Sequence, residues 1–200
     1  MDASRITSEK LWLKSWELLK RGAVDKQHDF NLGVLCTLTP TLHPRSRTLV
    51  LRKAMEEEGE LWCYTDRRSA KALSVNAGRN AVCWTFWSPR HHLQVTASGN
   101  AHWLEERESR TIFASLPKHS RKAYATVTPP GSPSEKPTDG LPDDWEQRGL
   151  SATDYAAVNF GVLITQLTEV EVLHLSREGN QRLHASREGS EPWRLEWLVP

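Results

Sequence analysis

The chain has 200 residues, with 26 Lys and Arg against 25 Asp and Glu, 38% hydrophobic and 26% charged residues. That length suits one domain with a sizeable core, and the composition lies outside the range that keeps chains disordered. A net charge of +1 argues against a general nucleic-acid binder, which carries a basic surplus. No apolar stretch approaches the ~20 residues that span a bilayer. The N-terminal stretch MDASRITSEKLWLKSWELLK lacks an uninterrupted signal-peptide core. Three cysteines without CxxC spacing fit a reducing compartment better than a disulfide framework. The expectation is a single cytoplasmic domain over residues 1–200 that binds neither nucleic acid nor membrane.

In chain order, residues 8–21 read as an amphipathic helix, with Trp12, Trp16 and Leu19 on one stripe. Short apolar or β-branched runs at 32–40, 47–53 and 60–65 read as strands. The stretch 55–60 makes the last two an antiparallel hairpin. Residues 66–78 have helix-forming composition ending at Asn76 or Gly78, and 81–88 and 93–104 return to strand character. Residues 105–126 read as two helices broken at Pro117. Five prolines (Pro129, Pro130, Pro133, Pro137 and Pro142) mark 128–151 as an irregular excursion, of a length that is usually functional or disordered. A short helical segment near 152–157 leads into a long strand, 160–175, bent near Leu167–Thr168, and a hairpin of 181–186 with 192–200 ends the chain. The predicted class is α+β: a predominantly antiparallel, six- to seven-stranded β-barrel, closed or partly closed, with peripheral helices.

Residues 47–71 carry the densest chemistry. Arg47 and Arg52 share one strand, Tyr64 and Thr65 end the next, and Ser69 and Lys71 open the following helix. An antiparallel pairing brings these groups to one end of the sheet, where cations, hydroxyls and free helix N–H groups suit a dianionic phosphate. The plainer alternative keeps Arg47 and Arg52 as solvated strand residues and 66–71 as an exposed first turn.

The series RTLVLR, CYTDRRSAK, LQVTASGNA and RLH, before a terminal W-x-L-x-x-L-x-P pattern, resembles the pyridoxamine 5′-phosphate oxidase-like family of FMN-binding split barrels. The resemblance covers roughly 30–125 and 160–200. It implies a split barrel, a homodimer with FMN at the subunit interface, and hydride transfer between a small substrate and FMN. Position by position, it implies that Arg47 and Lys71 hold the FMN phosphate with Ser69 beside them, and with Arg68 replacing a family arginine that is Ala70 here. Tyr64 and Thr65 border the phosphate and ribityl chain. The backbone from Thr48 through Leu49 and Val50 to Leu51 runs along the flavin ring, Arg52 lies near the ring and substrate, and Gln94 bonds the flavin from the partner subunit. Arg182 and His184 match the pair that contacts substrate, and the alternative for them is an exposed C-terminal hairpin.

The family's substrate-phosphate Tyr and Arg fall on Ile112 and Leu116, although Ser120 is kept. Losing two ligands, each contributing about 1.5–3 kcal/mol, argues against a phosphorylated substrate. The family's downstream flavin arginine falls on Ser186 or Arg187. Cys36, Cys63 and Cys83 sit in apolar strands and read as buried, inert thiols. His91 and His92 lack zinc-ligand spacing, so no metal is expected. The tryptophans read mostly as core or interface, with Trp193 or Trp197 candidates for packing near the flavin. Two other functional classes stay open: a flavin carrier or sensor without turnover, and the same barrel holding haem or nothing.

Overall fold

The computed structural model describes residues 6–200. The first helix, α1 (Ser8–Val24), starts where Thr7 Oγ1 accepts the Lys10 N–H at 3.3 Å. It runs past the predicted end at residue 21, and its stripe of Leu11, Trp12, Trp16, Leu18 and Leu19 is buried against the barrel.

The strands are β1 (Leu32–Leu38), β2 (Pro44–Met55), β3 (Glu60–Asp66), β4 (Ala81–Ser88), β5 (Leu93–Trp103), β6 (Phe160–His174), β7 (Gln181–Ser186) and β8 (Arg194–Leu198). Their order is β3-β2-β1-β4-β5-β6-β7-β8, all neighbours antiparallel, and β3 also pairs with β6. The first six strands therefore close into a barrel, and β7 and β8 extend it from the far half of β6. Burial alternates as the pleat requires: in β4, Val82, Trp84, Phe86 and Ser88 are buried between more accessible neighbours. Leu35, Leu51, Leu61, Trp84, Val95 and Leu163 fill the interior.

The predicted bend in β6 is a bulge at Thr168, where Ser98 faces Glu169 and Gly99 faces Leu167. Gly99 is required there, because a Cβ would run into the Gln166 carbonyl oxygen.

The remaining helices are α2 (Ala70–Asn76), α3 (Glu106–Ser115) and α4 (Lys118–Arg121). A second core of Phe113, Tyr124, Trp145, Phe160 and Ile164 lies where α3 packs on β6. The Pro-rich stretch has little regular structure but is anchored: Trp145, in a 3₁₀ turn, is buried, and Val127 N donates to Gly140 O at 2.8 Å. Arg121 fastens the end of that stretch. Its buried guanidinium donates to the carbonyls of Ala114, Leu116 and Leu150, to Thr153 Oγ1 and to Asp154. No helix among the described residues is long and apolar enough to cross a membrane.

Candidate functional site

The barrel opens between β2 and β3. Their ladder runs from Met55↔Glu60 only as far as Leu51↔Cys63, with a bulge at Arg52. Beyond it β2 stays paired with β1, through Val50↔Leu32, Leu49↔Gly33, Thr48↔Val34 and Arg47↔Leu35. Meanwhile β3 stays paired with β6, through Tyr64↔Val162, Thr65↔Gly161 and Asp66↔Phe160. The residues flanking this split are those the sequence singles out at 47–52 and 64–65.

Arg47 lies opposite the core residue Leu35 and so starts on the inner face. Its Nη1 donates to Leu35 O at 3.0 Å and to Thr37 Oγ1 at 2.9 Å, leaving its other N–H groups without a protein acceptor among the described residues. Lys71 Nζ donates to Ser69 Oγ at 3.2 Å, and Ser69 Oγ donates to Asp66 O at 2.7 Å. Burial draws the Lys71 ammonium below its usual pKa, and the like charge of Arg47 draws it further. Arg47 is also lowered, chiefly by burial. Two half-buried cations that repel each other, with no carboxylate bridging them among the described residues, are arranged for an anion. Thr65 Oγ1, on the β3 side of the split, is buried without a hydrogen-bond partner. An orphaned hydroxyl and two uncompensated cations flanking one opening fit a phosphate ester, and with it FMN.

Other predicted groups are placed differently. The helix expected over 66–78 is the seven-residue α2, starting at Ala70. Asp66 delays it: its carboxylate accepts the Arg68 N–H at 2.7 Å, while its carbonyl accepts the Ser69 hydroxyl. A seven-residue helix adds little dipole, so the anion site rests on side chains rather than on the predicted helix N–H groups. Arg68 is turned to Asp66, at 2.7 Å, and to Thr126 O and Oγ1, so its guanidinium is engaged by these partners instead. Arg52 is exposed at the bulge and lies 5.1 Å over the Tyr64 ring. Burial pushes the Tyr64 phenol up.

Gln94, Arg182 and His184 do not join this cluster. The register aligns Trp87, Gln94, Leu173, Arg182 and Leu198 in one row across the sheet, and Thr85, Thr96, Glu171, His184 and Glu196 in another. These rows form the outer face, which continues through Leu32 and Val34 to Val50 and Thr48. Arg182 is paired with Glu171, on the strand beside it. Leu32, Val34 and Trp87 on this face are 54%, 41% and 42% exposed.

Ile112 and Leu116 pack against the second core, and Arg121 nearby is fully engaged by the protein itself. Arg187 donates to the Glu57 and Glu58 carbonyls under Trp193, which itself packs on Trp12 beside the β2–β3 hairpin. Of the cysteines only Cys63 is buried, its thiol pushed up to about 12 by burial. Cys36 and Cys83 are partly exposed, contrary to expectation, because the strand alternation turns them outward. Asp66 and Thr126, the partners of Arg68, escape a reading of the sequence, and the second lies 58 residues away with no local mark of the contact.

Known proteins share this sequence pattern and this barrel. Residues 13–105 match the model of the pyridoxamine 5′-phosphate oxidase, FMN-binding domain. A pyridoxine/pyridoxamine 5′-phosphate oxidase of Porphyromonas gingivalis is 26% identical over 136 residues, which are 66% of this chain and 62% of that relative. The match thus takes in less than two thirds of the relative's length. A pyridoxamine 5′-phosphate oxidase-related, FMN-binding protein from Nostoc punctiforme superposes with a TM-score of 0.74 at 20% identity, covering 98% of this chain and 100% of that one. PhzG from Burkholderia lata, in complex with tetrahydrophenazine-1-carboxylic acid, superposes with a TM-score of 0.67 at 16% identity, covering 96% and 90%. Residues 13–105 are thus similar in sequence to the FMN-binding domain of pyridoxamine 5′-phosphate oxidases, and the whole chain has the split-barrel fold of these FMN-binding neighbours.

Proposed function

We propose that the chain is an FMN-dependent oxidoreductase that transfers a hydride between a small substrate and the flavin. The observation that carries this reading is the opening between β2 and β3. There Arg47, Ser69 and Lys71 stand with the unpartnered Thr65 hydroxyl, and neither cation is bonded to a carboxylate among the described residues. These groups hold the FMN phosphate. The β2 backbone from Thr48 to Leu51 runs along the ring, and Arg52, over Tyr64, places a positive charge beside it. Bound FMN supplies two-electron redox chemistry, and a nearby cation favours the charge that builds on the reduced ring. Arg68, held by Asp66, serves to fix the turn before α2 rather than to touch phosphate.

The functional unit in this reading is a homodimer, and each chain is one domain. Gln94, Arg182 and His184 share the outer sheet face with the exposed apolar side chains Leu32, Val34 and Trp87. Apposing two such faces brings Gln94 of one chain to the flavin of the other, with Arg182 and His184 orienting the substrate. The substrate lacks the phosphate used by pyridoxamine phosphate oxidases, since the apolar Ile112 and Leu116 offer no ligand.

The test is anaerobic mixing of FMN-loaded protein with candidate hydride donors, including pyridoxine phosphate, while flavin absorbance is followed. The reading expects bleaching by a non-phosphorylated donor and at most slow bleaching by pyridoxine phosphate. The pairing of Arg182 with Glu171 favours a second reading, a flavin carrier without turnover. That reading expects tight FMN binding with no donor able to bleach it.

A further inference from the structure

Cys36 on β1 and Cys83 on β4 face each other directly in the antiparallel ladder, between the pairs Leu35↔Trp84 and Thr37↔Val82. Both are free thiols on the outer face, two rows along the ladder from Trp87 and Gln94, and both are partly exposed. They line one concavity of about 400 Å³ together with Ser98, Asn100 and Glu169. Directly opposed residues of an antiparallel pair have Cα atoms about 4.5 or 5.5 Å apart, and both values fall within the roughly 4.4–6.8 Å span of disulfides. The pair also abuts the anion site. Cys36 stands between Leu35 and Thr37, whose carbonyl and hydroxyl hold Arg47.

We propose that Cys36 and Cys83 form a thiol–disulfide site, oxidised by low-molecular-weight disulfides, whose state sets how firmly Arg47 is held. One thiolate attacks a disulfide RSSR, giving a mixed disulfide and releasing RS⁻, which takes up a proton to become RSH. The second thiolate attacks the protein sulfur of that mixed disulfide, forming the Cys36–Cys83 bond and expelling the second RS⁻. The protein loses two electrons and two protons, and RSSR leaves as two RSH. Closing the bond draws the facing Cβ atoms together by roughly 1 Å from ordinary cross-strand spacing. That displaces Leu35 and Thr37 relative to β2 and loosens Arg47. Cys63, sealed in the barrel and resistant to ionisation, stays reduced.

The test treats reduced full-length protein with oxidised glutathione, then blocks remaining thiols under denaturing conditions and maps the peptides. The expected product is a chain of monomer size on a non-reducing gel, with the Cys36 and Cys83 peptides linked and Cys63 free. The variant Cys83→Ser should instead trap a stable glutathione adduct at Cys36. A lasting adduct on the wild type, a link between two chains, or three unreacted thiols would overturn the site. The second arm rests on the proposed flavin reading and compares FMN affinity of the reduced and disulfide forms. Weakening by about two- to tenfold, the partial loss of one charge-assisted bond, is expected, and equal affinities would overturn the coupling to Arg47. Failure of the reduced protein to bind FMN would contradict the flavin reading and leave the peptide mapping intact.

Discussion

Lys71 Nζ donates to Ser69 Oγ across 3.2 Å and has no carboxylate partner among the described residues, whereas Arg68 is paired with Asp66 at 2.7 Å. The two cations therefore have different work. Replacing Lys71 by Ala removes one charged donor to a dianion and should weaken FMN binding about ten- to a hundredfold. Arg68→Ala should act mainly on stability, by leaving the buried Asp66 carboxylate unpaired. Isothermal titration with FMN, alongside thermal unfolding of both variants, separates the two outcomes.

The depressed pKa of Lys71 gives FMN binding a defined pH dependence. A phosphate dianion favours the protonated ammonium and raises its pKa on binding, so affinity is level while free Lys71 is already protonated. As pH rises through the lowered pKa of the free protein, below the ordinary 10.5, affinity falls. Burial pushes Tyr64 upward, away from that window. Lys71→Arg keeps its charge and should flatten the decline. Affinities measured from neutral pH to about pH 10 test this, and an unchanged decline in the arginine variant would assign it elsewhere.

Thr65 allows stability and binding to be read apart. Its hydroxyl is buried and unpartnered, so Thr65→Val removes an unsatisfied polar group and should leave the flavin-free protein as stable or up to about 1 kcal/mol more stable. The same change should weaken FMN about two- to tenfold, by the loss of one hydrogen bond. Denaturant unfolding without FMN and titration with it measure the two effects.

Much of this arrangement is legible in the sequence, because period-2 alternation and turn residues identify the strands and the β2–β3 hairpin. Less legible is where α2 begins. Helix-forming composition at 66–78 says nothing of the Asp66 carboxylate and carbonyl, which hold the backbone in a turn as far as Ser69. The strand β2 is also longer than its apolar run, since Pro44, Arg45 and Ser46 are exposed yet pair with Leu38, Thr37 and Cys36. Apolar neighbours give Cys36 and Cys83 the look of core residues, although the face each presents depends on register, which composition alone does not give. The separation of Gln94, Arg182 and His184 from Arg47 is a property of closure, through the β3–β6 pairing, that no local motif records.

The dimer is tested at Trp87, 42% exposed in the same row as Gln94. Light scattering should find a wild-type dimer and a Trp87→Glu monomer that unfolds at nearly the wild-type temperature. A monomeric wild type would remove the shared site.

The grip of the β2–β3 opening on a phosphate is tested most directly by comparing FMN with riboflavin, which has the same ring and no phosphate. Flavin-free protein should bind FMN at least about a hundredfold more tightly than riboflavin, as two or more charge-assisted contacts require. In Arg47→Ala and Lys71→Ala that preference should shrink while riboflavin affinity holds. Equal affinity of the wild-type protein for the two flavins would contradict the account.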